Sequence, residues 1–181
     1  MIKYVAILRG INVGGKNKIL MDDLVQLFEQ IGHSKVETYI QSGNVVFSSK
    51  FADERHLETM IETAIKERFG FEVPAMILSE TKLERTLKYN PYLERDTIDE
   101  DALHATFLRY EADHELVKEF ETLDYSPDET IVTNDLVYVY CPSGYGKTKF
   151  NTSFIERKLK AQATTRNWKS ICALLDLVRK N

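Results

Sequence analysis

The chain has 181 residues, 43% hydrophobic and 29% charged, an ordinary composition for a soluble globular protein with room for one core or two small ones. Its formal net charge of −4 argues against bulk nucleic-acid binding, so any anion site must be a local cluster on an acidic protein. No apolar run approaches the roughly 20 residues needed to span a bilayer, and Cys141 and Cys172 are too few for a disulfide framework and lack metal-ligand spacing.

Met1-Ile2-Lys3 leads directly into a strand without a signal-peptide pattern, so the expected compartment is cytoplasmic, with no membrane partner. The first strand is the apolar run Tyr4 to Leu8, which opens into a loop, Arg9-Gly10-Ile11-Asn12-Val13-Gly14-Gly15-Lys16-Asn17-Lys18. Glycines let backbone N–H groups approach a ligand closely, and lysines beside them favour an anion. A helix follows, with Asp22 and Asp23 at its start and Leu24, Leu27, Phe28 and Ile31 at helical spacing. Val36 to Gln41 and Asn44 to Ser48 read as a hairpin around Ser42-Gly43. Asp53 starts a second helix, closed by Gly70, and Val73 to Leu78 is a strand whose early proline suits a sheet edge.

The order βαββαβ predicts a ferredoxin-like unit. In that topology the first and third strands are antiparallel neighbours, so Arg9 and Gly10 should lie beside Asn44. The loop Asn12 to Lys18 and the turn Gln41-Ser42-Gly43-Asn44 should then share one rim. The competing reading is that both segments are only good turns.

Thr81 to Tyr89 reads as a helix and Glu94 to Asp101 as a solvated acidic linker. Ala102 to Arg109 is a strand, Glu115 to Leu123 a helix, and Glu129 to Thr133 with Leu136 to Tyr140 a hairpin around Asn134-Asp135. Helices are expected from Ser153 to Lys160 and from Asn167 to Arg179. The expected fold class is α+β, two tandem ferredoxin-like halves (1–79 and 102–181, joined by 80–101). Leu8-Arg9 recurs as Leu108-Arg109, and Glu37-Thr38 as Glu129-Thr130. The two offsets, 100 and 92, differ by eight residues, which assigns the excess in the first half to Ile11–Lys18. The second half is expected to have a short or missing last strand, with Thr165 as the cap of the final helix.

Other constellations are weaker. Cys141-Pro142-Ser143-Gly144-Tyr145-Gly146-Lys147-Thr148 imitates a phosphate-binding P-loop, but Cys141 replaces its first glycine, Pro142 removes a donor and the preceding strand belongs to an antiparallel hairpin. Lys147, Lys149, Arg166 and Asn167 are expected to form a second basic cluster. The four histidines sit singly, with His33 and His114 expected at the surface, so no metal site is indicated. No pattern specifies a cofactor or an oligomeric state.

Leu8-Arg9-Gly10-Ile11-Asn12-Val13-Gly14-Gly15, Thr38-Tyr39-Ile40-Gln41-Ser42-Gly43-Asn44-Val45-Val46-Phe47, Phe154-Ile155-Glu156-Arg157-Lys158-Leu159 and Ala163-Thr164-Thr165-Arg166-Asn167-Trp168 resemble the bacterial domain-of-unknown-function-1697 family. The resemblance implies a cytoplasmic bacterial protein of two ferredoxin-like halves and carries over no activity and no catalytic residues. From the residues themselves the leading expectation is a binding or enzymatic domain for a small anionic or phosphorylated ligand. Arg9, Asn12, Gly14, Gly15, Lys16, Lys18, Gln41, Ser42 and Asn44 would hold it. The alternative is a protein- or nucleic-acid-interaction module using sheet faces that bear Tyr39, Tyr138 and Tyr140.

Overall fold

The computed structural model describes all 181 residues and divides into two units, Met1–Arg85 with Ala173–Asn181, and Thr86–Cys172. The first unit runs β1 (Ile2–Leu8), α1 (Met21–Gln30), β2 (Ser34–Tyr39), β3 (Asn44–Ser49), α2 (Glu54–Phe69) and β4 (Ala75–Ser79), and α3 (Glu80–Lys88) begins in it. Its strands form one antiparallel sheet in the order β2-β3-β1-β4. Alternation sends Tyr4, Ala6 and Leu8 to one face, opposite Phe47 and Val45 on β3 and with Ile77 and Ala75 on β4. That face is covered by Leu24, Leu27 and Phe28 of α1 and by Leu57, Ile61 and Ile65 of α2, all buried. Asp53 caps α2, its carboxylate accepting from the N–H groups of Arg55 and His56.

The edge strand β4 is tied to α2 by carboxylates. Glu62 accepts from the N–H of Ala75 at 2.9 Å, and Glu58, one turn earlier, from that of Ile77 at 3.2 Å. Glu58 is buried and also meets the Arg55 guanidinium at 2.8 Å, so its charge is compensated.

The second unit runs β5 (Leu103–Leu108), α4 (His114–Glu121), β6 (Glu129–Thr133), β7 (Leu136–Tyr140), α5 (Thr152–Leu159) and β8 (Ala163–Asn167), and α6 (Trp168–Lys180) begins in it. Its sheet has the order β6-β7-β5-β8. Leu108, Val137, Val139, Phe120, Phe150, Ile155 and Leu159 make its core, with Tyr125 set edge-on against Phe150 at 5.2 Å. Backbone details of the first unit recur. Leu8 N–H donates to Gly43 C=O at 2.7 Å and Leu108 N–H to Asp135 C=O at 2.8 Å; Arg9 N–H donates to Pro74 C=O and Arg109 N–H to Gln162 C=O. Glu156 of α5 accepts from Ala163 N–H on β8 at 2.9 Å, as Glu62 does from Ala75. Between residues 91 and 102 the chain forms two single 3-10 turns, Pro91–Glu94 and Glu100–Ala102.

Four expectations are corrected. The last strand of the second half is neither missing nor curtailed: β8 spans five residues, as β4 does, and pairs with β5 from Leu108↔Ala163 to His104↔Asn167. Thr165 is therefore inside a strand, and Asn167 instead starts α6, its side-chain oxygen accepting from Ser170 N–H at 2.8 Å. His33 is not a surface residue; it is 5% exposed, and its ring lies 4.7 Å from Phe47 and 5.9 Å from Phe28. Both of its ring nitrogens are buried without a hydrogen-bond partner, and burial lowers its pKa to about 4. Tyr138 offers no open face either, being 2% exposed with its hydroxyl donating to Thr86 C=O.

Candidate functional site

The chain after β1 is longer than its counterpart after β5. α1 starts at Met21, thirteen positions beyond Leu8, whereas α4 starts at His114, six positions beyond Leu108. The excess is folded as a small hairpin. Val13 and Lys16 are bridged antiparallel, and Lys16 N–H donates to Val13 C=O at 3.1 Å. Gly14 (φ 59°) and Gly15 (φ 75°) are the two central residues, and positive φ at both is the signature of a type I′ turn. Turn geometry thus accounts for the glycine pair.

Asn12 closes this hairpin at its base. Its side-chain oxygen accepts from Ile19 N–H at 3.0 Å, and its amide donates to Ile19 C=O at 3.0 Å and to Gln41 C=O at 3.1 Å. One side chain therefore joins both ends of the loop to the β2–β3 turn, and all of its polar atoms are used internally. Asn17 adds a bond to Gly10 C=O at 3.1 Å. In the turn, Asn44 is fully buried and donates to Ser42 Oγ at 2.8 Å and to Tyr39 C=O. A Cβ on Gly43 would lie 2.8 Å from Leu8 Cβ and 2.9 Å from Ile11 Cδ1, and its φ is 76°. The sequence Ser-Gly-Asn is required here by close packing as well as by chain reversal.

The loop and the turn face one cavity of about 310 Å³, lined by Asn12, Gly15, Lys18, Ile19, Leu20, Met21 and Gln41. Its volume falls at the lower end of ligand pockets, which run from about 300 to 1,000 Å³. Of the nine residues expected to share a rim, the cavity brings together Asn12, Gly15, Lys18 and Gln41. Gly14 and Lys16 are on the exposed side of the hairpin, Arg9 is half-buried at its root, and Ser42 and Asn44 brace the turn behind. Lys16 and Lys18 make no ion pair.

The cavity also reaches the start of α1, which sequence reasoning did not foresee. Leu20 holds the N-cap position with extended backbone and offers no side-chain acceptor. The first helical bond is Leu24 N–H to Leu20 C=O, so the amides of the first turn are left without a cap. The other helix starts are treated differently: Asp53, Asp113 and Asn151 cap α2, α4 and α5 with side-chain oxygens. The available signal was a leucine in Lys18-Ile19-Leu20-Met21-Asp22, where a serine or aspartate would normally stand. Asp22 and Asp23 oppose an anion there, though Asp23 is drawn into an ion pair with Arg68 at 3.1 Å.

Of the expected second basic cluster, Arg166 stands apart. Thr165 faces α5, its hydroxyl 2.7 Å from Thr152 Oγ1 and 2.8 Å from Thr106 Oγ1, and Tyr145 Oη extends this chain from Thr152 at 3.0 Å. Alternation then points Arg166 to the opposite side of β8, away from the loop that carries the exposed Lys147 and Lys149. Burial lowers the Arg166 guanidinium to about 10, and Nη1 donates to Thr165 C=O at 2.9 Å. The P-loop imitation is two successive turns, Gly144 N–H to Cys141 C=O and Lys147 N–H to Gly144 C=O, with Thr148 buried. Cys141 Sγ lies 3.5 Å from His104 Nδ1, but burial first, and Asp128 second, push the thiol up to about 11, so it does not ionise near neutrality.

No helix is long and apolar enough to cross a membrane. The solved structure of a conserved bacterial protein from Streptococcus pneumoniae is similar over 99% of both chains, with a TM-score of 0.77 and 26% identity. No curated protein matches the chain. Residues 1–138 match the family described as a protein of unknown function, DUF1697, and the chain belongs to that family.

Proposed function

We propose that the chain is a cytoplasmic binding domain for a small anionic or phosphorylated ligand, held in the cavity between the β1–α1 hairpin and the β2–β3 turn. The carrying observation is that this cavity unites Lys18, Gln41 and the one helix start whose N-cap residue brings no side-chain acceptor. A helix N-terminus concentrates partial positive charge and free amides, and an anion there does what a capping carboxylate does elsewhere. Asp113 at the start of α4 illustrates the filled alternative, accepting from the amides of Glu115 and Leu116. Lys16 and Arg9 add positive potential at the rim, while Asn12, Gly14, Gly15, Ser42 and Asn44 hold its shape. Any catalysis at this rim would rest on electrostatic stabilisation by fixed donors.

The wider frame is read as an internal duplication of a ferredoxin-like unit, in halves 1–79 and 102–181 with 80–101 between them. Matching strand orders and the pairs Tyr4↔Phe47 and His104↔Val139, which keep the offsets of 100 and 92, support it. The extra hairpin then distinguishes the half that binds.

Leu20→Asp tests the site directly. It supplies the missing cap, so it should stabilise the fold by about 0.5–2 kcal/mol. Its carboxylate also occupies the anion position, so calorimetric binding of inorganic phosphate by the wild type should disappear. Phosphate binding that survives in Leu20→Asp overturns the assignment.

A further inference from the structure

We propose that the ligand of this cavity is amphipathic, a small anion carrying an alkyl or aryl body that packs on apolar residues at the rim. The inference rests on the reading of the cavity as an anion site and adds the class of ligand. Its basis is the distribution of apolar side chains. Beside Lys18 and Gln41 the cavity wall is Ile19, Leu20 and Met21. Leu20 is 72% exposed; Val13, next to Asn12, is 66% exposed; and Ile40, next to Gln41, is 53% exposed.

A single exposed leucine needs no explanation, because folded surfaces carry many. Here three large aliphatic residues stand in the two short segments that bound one cavity. Ile40 is the most telling of them. It takes φ 50°, a left-handed conformation that β-branched residues adopt only at a cost. The first residue after β6, in the same position of the other hairpin, is Asn134 with φ 44°, a residue suited to that backbone. An isoleucine there bears the strain while half of its side chain faces solvent, which a polar residue would avoid. Covering it with an apolar ligand body removes that exposed surface.

A homologous series decides the matter. Inorganic phosphate and the ethyl, butyl and hexyl monoesters are titrated calorimetrically into the full chain and into a Val13→Ser/Ile40→Asn double variant. The wild type should bind about three- to fourfold more tightly for each methylene that is covered. The double variant should bind inorganic phosphate as the wild type does and lose most of the gain with chain length. Equal affinity for phosphate and hexyl phosphate in the wild type would overturn the amphipathic ligand and leave the anion site standing. An unchanged gain in the double variant would likewise overturn it. No binding by any member would remove the anion site and this inference together.

Discussion

Asn12 pairs with Ile19 through two hydrogen bonds of 3.0 Å, its side-chain amide standing in for the backbone of a neighbouring strand. That pair and the bond to Gln41 anchor the inserted hairpin, with Asn17 adding its bond to Gly10 C=O. Asn12→Ala leaves the partly buried N–H and C=O of Ile19 without these bonds and the exposed C=O of Gln41 to water, a loss of about 1–3 kcal/mol measurable by urea unfolding. Amide exchange should accelerate in residues 11–20 well before the rest of the first unit responds. Protection unchanged in that segment would mean the hairpin holds its shape without the clamp.

Gly43 and Gly15 separate two effects of a positive φ. A Cβ on Gly15 meets nothing within 4 Å, whereas one on Gly43 meets Leu8 and Ile11. Gly15→Ala should therefore cost about 1 kcal/mol, the conformational part alone. Gly43→Ala adds a clash with the sheet and should cost about 2–4 kcal/mol. Thermal unfolding of the two variants side by side gives the comparison, and equal losses would contradict the packing at Gly43.

His33 makes stability depend on acid. Its pKa is about 4 in the fold and near 6.5 when the chain is unfolded, so the unfolded state takes up the proton first as pH falls. The contribution is complete above about pH 6.5 and drains away toward pH 4, by on the order of 3 kcal/mol. No charged neighbour contributes to this shift; desolvation between Phe28 and Phe47 is its cause. His33→Phe should flatten the stability profile between pH 7 and 4.5, and a profile as steep as the wild type's would locate the acid sensitivity elsewhere.

In the second unit, Thr165 links Thr106 to Thr152 and so to Tyr145. Thr165→Val keeps the shape and removes the middle hydroxyl, leaving buried Thr106 without its bond. A loss of about 1–3 kcal/mol is expected in chemical denaturation. A neutral substitution would show that the hydroxyl chain contributes nothing net.

Much of the frame is written in local signals. Asp53 reads as the cap it is, Ser42-Gly43 and Asn134-Asp135 sit between alternating runs, and early Pro74 marks β4 as an edge. The signals fail where a neighbour across the fold decides. Ala163-Thr164-Thr165-Arg166-Asn167 is too polar to announce a strand, and only pairing along β5 makes it one. His33 carries no sign that Phe28 and Phe47 will enclose it. At the rim, the meeting of Asn12 with Gln41 was legible from topology, but Leu20 was not, because acidic Asp22 and Asp23 drew the helix start past it. Absence of a cap is visible only once the first turn is built.

The carboxylates that Glu58 and Glu62 of α2 set against β4 have a consequence for association. An edge strand with free outward N–H groups is a template on which another chain can add a strand. Here the amides of Ala75 and Ile77 are already occupied by α2, and Ala163 on β8 by Glu156. A docking strand would have to displace a carboxylate before it could accept from any of these three N–H groups. Strand addition along β4 and β8 is thereby disfavoured at Ala75, Ile77 and Ala163.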